Sequence, residues 1–211
     1  MDHWPLFGLR VRTSRLELRY PDDALLVRLL EVARGGVHDP GVMPFSFAWT
    51  RRPPGRFEPE FLQHHWGVRA GLSVDDWTLP LVVLADGEVL GVQDLAGRGF
   101  RAARTCVTGS WVGLAHQGRG IGTEMRAAAL ELAFAHLGAE LCQSAAWHDN
   151  APSIGVSRRL GYADDGWELR DRDGEPTRHV RFRLHRADWR PPVAVTVEGL
   201  EACLPLLLGD R

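Results

Sequence analysis

The chain has 211 residues, enough for one domain with its own core, and its 45% hydrophobic and 25% charged residues suit a soluble globular protein. Twenty-five basic and 27 acidic residues leave a net charge of −2, which argues against nucleic acid or an anionic membrane as the main partner. Arg fills every Lys/Arg position, so mechanisms that need a Schiff-base or P-loop lysine are excluded.

Leu9 to Tyr20 alternates apolar and polar residues, which predicts a strand with a break near Thr13-Ser14. Asp22-Asp23 caps a helix running through Ala33, and Gly35-Gly36 ends it. Val37 to Gly55 is Pro-rich and irregular, and a second helix is expected over Glu58 to Gly71. Leu79 to Leu84 and Glu88 to Leu95 flank Ala85-Asp86-Gly87, a hairpin signal, with Thr105 to Gly113 as the next strand. The clearest helix runs from Gly120 to Leu137, with Gly138 as its stop. A strand over Leu141 to Trp147 and a short helix over Ala151 to Leu160 follow. The last strands are Trp167 to Leu169 and Val180 to Leu184, and the order implies a mixed sheet with helices on its faces. Pro191-Pro192 marks a boundary, giving a domain over 1–190 and a strand-like tail over 191–211 that packs on the domain or on a second subunit.

The three cysteines, Cys106, Cys142 and Cys203, form no disulfide framework or Cys/His ligand spacing, so no metal is expected. The first ten residues carry no signal-like apolar run, and no stretch of ~18 apolar residues occurs, so the expected location is cytoplasmic.

Gln117-Gly118-Arg119-Gly120-Ile121-Gly122-Thr123 lies between a strand and a long helix. Glycines allow close backbone approach, and the first turn of a helix offers unpaired N–H groups, so such a loop suits phosphate oxygens. The dinucleotide pattern GxGxxG fails at Thr123, and the P-loop pattern fails for want of lysine. The segment instead matches Q/R-x-x-G-x-G/A, and Asn150-Ala151-Pro152-Ser153, leading to Leu160-Gly161-Tyr162, matches an N-x-x-S…LGF pattern one strand later.

On those two motifs the chain resembles the GNAT N-acyltransferase superfamily over about Leu9 to Trp189. Trp111-Val112-Gly113 and the closing Arg-Ala-Asp-Trp are most similar to the branch of ribosomal-protein N-terminal acetyltransferases. The resemblance implies an α/β fold whose mostly antiparallel sheet splays into a V, and transfer of an acetyl, succinyl or other acyl group from acyl-CoA to an amine. The amides of Gly118, Arg119, Gly120, Ile121, Gly122 and Thr123, with Gln117, would bind pyrophosphate. Amides at Val112, Gly113 and Leu114 would polarise the thioester carbonyl. Asn150 would bond the pantetheine arm and Ser153 would assist the thiolate, although both also occupy helix-cap positions.

For the base, no carboxylate stands on the Trp111-Val112-Gly113 strand; His148 has the right intrinsic pKa, with Asp94 and Glu168 behind it. His38, Asp39, Phe45, Phe47, Trp49, Trp66 and Trp77 either line an acceptor pocket or fill a core, and Arg51-Arg52 could receive a carboxylate. The acceptor is a small-molecule amine or a protein N-terminus, and the expected assembly is a homodimer. The rival reading is an acyl-CoA sensor or assembly subunit without turnover.

Overall fold

The computed structural model describes residues 3–53 and 55–209. Strands β1 (Arg10–Arg12) and β2 (Glu17–Arg19) form a hairpin whose turn closes where the Leu16 amide donates to Thr13 Oγ1 at 2.9 Å. Helix α1 (Asp23–Arg34) begins where Asp22 Oδ1 accepts from the Leu25 amide at 2.8 Å, and it buries Leu25, Leu26, Leu29, Leu30 and Ala33 along one stripe. Residues 35–56 form neither helix nor strand where described, and helix α2 (Phe57–Ala70) follows.

Strands β3 (Asp76–Ala85) and β4 (Glu88–Arg98) join through Asp86-Gly87, both at positive φ, as a two-residue hairpin turn demands. The short helix α3 (Phe100–Ala103) leads to β5 (Thr105–Val112). Helix α4 (Ile121–Glu131) continues as one wider turn over Leu132–His136 before Gly138, at φ +73°, stops it. Then come β6 (Leu141–Trp147), α5 (Ala151–Arg159), β7 (Ala163–Arg172) and β8 (Glu175–His185). The expected final strands were much shorter, because β7 is exposed along most of its length and carries charge where a strand with one buried face would alternate.

Among the described residues nine strands form one sheet in the order β7-β8-β6-β5-β4-β3-β2-β1-β9, with β9 at Thr196–Glu198. Neighbours are antiparallel except β5 and β6, whose parallel pairing requires a crossover, supplied by α4. Helices α1 and α2 cover one face, over Val82, Val89 and Val92. Helix α4 covers the other, where Met125, Ala128 and Leu132 join Leu79, Leu81 and Leu95. Among the described residues no helix is long and apolar enough to cross a membrane.

The tail differs from a plain strand. Only Thr196–Glu198 is extended, pairing with β1, and Leu204–Leu208 is a short helix, α6. Cys203 and Leu207 are completely buried in the core of their own chain, so the apolar run finds its partner without a second subunit. Leu207→Ala should therefore cost about 2–5 kcal/mol of stability, as for a core leucine, measured by urea denaturation. A loss below about 0.5 kcal/mol would show the tail to be peripheral.

Candidate active site

Strands β5 and β6 pair only over Thr105–Val107 and Leu141–Gln143. Beyond that they part, although β5 stays paired with β4 up to Val112 and β6 with β8 up to Trp147. The gap is the splay expected from the sequence. The β4–β5 contact at its rim is close: a Cβ on Gly91 would press into the backbone of Trp111 and Val112.

Which β5 amides face the gap follows from alternation along a strand. The Gly113 amide donates to Leu90 O at 2.9 Å, toward β4, and the Leu114 amide donates to Gly36 O at 3.0 Å. Two of the three amides assigned to the carbonyl from sequence are thus already used, because the chain end of β5 folds against α1 and β4. The polar groups of Val112 point the other way; its carbonyl accepts from Gln117 Nε2 at 2.8 Å. Gln117 also donates to Val37 O at 2.9 Å, so this side chain ties the loop to β5 and to the end of α1.

The loop itself presents a row of unpaired amides. Among the described residues, the amides of Gly118, Arg119, Gly120, Ile121 and Gly122 donate to no hydrogen bond, whereas Thr123 donates back to Gly120 O at 3.2 Å. Gly118 and Gly120 stand at φ +75° and +78°, which turns successive N–H groups toward one side at the start of α4. Ile121 anchors the first turn by burying its side chain. Glu124 in that turn is neutralised by Arg15, whose Nε donates at 2.8 Å, and is bonded by Thr13 Oγ1 at 2.6 Å. Arg159 reaches across from α5 to Thr123 Oγ1 at 3.4 Å. Arg159 therefore stands beside the loop as a cation, whereas the charge of Arg15 is answered by Glu124; nothing in their local sequence marks either.

On the α1/α2 face, a cavity of about 370 Å³ opens beside β4 and β5. Phe45, Phe47, Trp49, Phe57, Phe61 and Trp111 line it, with Asp94, His64 and Arg52 as polar members. Asp94 lies on β4 opposite Gly109, where β5 begins to leave β6. Burial pushes its carboxyl up to about 7, and no cation stands within ion-pair reach among the described residues. Glu60, by contrast, is taken up by Arg52 and Arg56, each at 2.7 Å. Burial holds His65 down at about 3, hence neutral.

The remaining expected residues divide. Asn150 caps α5, its Oδ1 accepting from the Ser153 amide at 3.2 Å, and Ser153 is half-buried with its hydroxyl free of side-chain bonds among the described residues. His148 is exposed after β6 and does not line the cavity, and Glu168 pairs with Arg170 and Arg181 on exposed β7. Trp77 packs on Phe100 inside the α4-side core, and Trp66 is exposed beside Asp23, so neither joins Phe45, Phe47 and Trp49. Arg51 bonds Asp173 at 2.8 Å instead of facing the cavity.

The family described as "Acetyltransferase (GNAT) domain" matches residues 15–163. Three solved structures are similar in fold. The Mycobacterium smegmatis RimJ in complex with CoA-disulfide is 23% identical, with 84% of this chain and 85% of that chain covered and a TM-score of 0.66. RimL, a ribosomal alpha-N-protein acetyltransferase in complex with coenzyme A, is 17% identical over 82% and 95%, with a TM-score of 0.65. A Vibrio cholerae protein described as "a putative ribosomal-protein-serine acetyltransferase" is 19% identical over 83% and 97%, with a TM-score of 0.63. With the family match over most of the chain, a glycine loop of unpaired amides at the start of α4 and a splayed sheet beside it, the chain belongs to the GNAT acetyltransferase family.

Proposed function

We propose that this chain moves an acyl group from acyl-CoA to a primary amine seated in the aromatic cavity, by direct attack in a ternary complex, with Asp94 as proton acceptor. The observation that carries this reading is the raised, unpaired carboxyl of Asp94 beside the point where β5 leaves β6.

Bound acyl-CoA supplies an electrophilic thioester carbonyl. The amides of Gly118 to Gly122, with Arg159 alongside, hold its pyrophosphate. The Val112 amide, aimed into the gap, polarises the carbonyl. Asp94 Oδ accepts the proton of the incoming amine, and the free hydroxyl of Ser153 orients the departing sulfur. The aromatic walls exclude water and favour a cationic or apolar acceptor through their ring faces.

Proton arithmetic favours an α-amine. A group of pKa 7.7–8.0 gives its proton to a carboxylate near 7 at a cost of about 1 kcal/mol, whereas a lysine-like amine near 10.4 requires roughly 4–5 kcal/mol. The structure of RimL, an alpha-N-protein acetyltransferase of the same fold, points the same way. Although β5 carries no carboxylate, Asp94 on neighbouring β4 faces the cavity, which supports turnover over the sensor reading.

A screen of amines with acetyl-CoA as donor should give turnover with peptides bearing a free N-terminus. The rate should rise with pH through about 7 as Asp94 ionises, and Asp94→Asn should lower kcat roughly 100-fold and abolish that limb. An unchanged pH profile would remove Asp94 from the mechanism. Because the folded state raises this carboxyl's pKa, ionisation opposes folding as pH climbs from about 4 to about 7. Asp94→Asn should thus raise Tm at pH 8 more than at pH 5. Gly120→Glu, which puts a side chain and a negative charge into the cradle, should weaken CoA binding at least tenfold by calorimetry with circular dichroism intact.

A further inference from the structure

Arg126 on α4 is buried, 4% exposed, and no acidic group stands within ion-pair distance of it among the described residues. Its Nη1 donates to Ser157 Oγ at 2.9 Å and to Ser144 Oγ at 3.4 Å; its Nη2 donates to Ser110 Oγ at 3.3 Å; its Nε has no partner. The surrounding titratable groups, Cys142 and Tyr162, are both pushed up by burial and so stay neutral. A buried guanidinium answered only by three hydroxyls is an uncompensated charge, the costliest arrangement a core can hold.

The location says what could compensate it. Ser144 is the first β6 residue past the last β5–β6 pair, and Ser110 is the third past it on β5. Ser110 also lines the cavity that holds Asp94. The guanidinium therefore borders the gap into which the thioester must reach, while the phosphate cradle lies at least a helical turn away along α4.

We propose that Arg126 receives a carboxylate at the far end of the acyl group, so that the preferred donor is a short dicarboxylic acyl-CoA of the succinyl type. This rests on the transferase reading above. The planar fork of Arg, with an unused Nε donor, matches a carboxylate in two-point contact. The serines hold the fork in place while the site is empty and leave the charge itself for the ligand. The two sides of the gap then carry opposite charges: Asp94 toward the amine and Arg126 toward the acyl chain.

Calorimetric titration of the whole chain with acetyl-, butyryl- and succinyl-CoA tests this. Butyryl-CoA matches succinyl-CoA closely in length but lacks the charge. Succinyl-CoA should bind roughly tenfold or more tightly than butyryl-CoA, the increment of a charged hydrogen bond. Arg126→Met should bring that ratio to about one, and Arg126→Lys should restore part of it. Equal affinities in the unmodified protein, or a ratio that survives Arg126→Met, would overturn the proposal. Should Arg126→Met not fold, the comparison in the unmodified protein decides by itself. Acetyl-CoA binding without a succinyl preference defeats only this inference, whereas no binding of any thioester defeats the transferase reading as well.

Discussion

The separation of β5 from β6 organises everything else in the molecule. Each strand has a long antiparallel partner on its outer side: Gly91–Gly97 of β4 for β5, and His179–His185 of β8 for β6. Neither strand needs the other for its backbone bonds beyond three residue pairs, so sheet twist can draw them apart. The gap leaves strand amides such as that of Val112 facing a space that must hold water or a ligand, because orphaned backbone groups are costly. The glycine loop with its unpaired amides sits at the start of α4, the aromatic cavity on one face of the sheet, and Arg126 on the other.

The irregular segment between α1 and α2 is fastened to the far half of the sheet rather than draped over it. Trp147 Nε1 donates to Phe45 O at 3.1 Å, Ser46 Oγ lies 3.3 Å from His179 Nε2, and Arg51 pairs with Asp173 at the β7–β8 turn. Arg172 grips Asp149 through two 2.8 Å bonds and stacks over Trp147, fixing the same corner. The sheet wall of the aromatic cavity thus comes from β4 and β5, while the irregular segment that closes it is tied to the other half of the sheet.

Within this frame the charges are arranged by burial rather than by pairing. Surface carboxylates such as Glu17 and Glu60 have arginines beside them, and Glu124 has Arg15. Asp94 and Arg126, on opposite sides of the gap, have none. Ionisable groups held out of water without a partner weaken a fold, which makes them candidates for function rather than for stability.

How much of this was legible in the sequence depends on how local each feature is. The cap at Asp22, the Asp86-Gly87 turn, the strand over Leu141 to Trp147 and the glycines at 118 and 120 work through neighbours a few residues away, so they could be read directly. Strand β7 could not, because it is paired yet nearly unburied, and the form of the tail could not, because its short strand pairs with β1 far up the chain while Cys203 and Leu207 enter the main core. Likewise, in a line of letters the intrinsic pKa of His148 puts it ahead of Asp94 as a candidate base. The register places Asp94 across from Gly109 on the cavity wall, and the packing leaves His148 in solvent. The sequence determined the order of elements and the anion loop, since hydrogen bonds between near neighbours encode both. Tertiary structure alone decided which carboxylate and which arginine stand desolvated beside the gap, because desolvation is set by residues that arrive from distant parts of the chain.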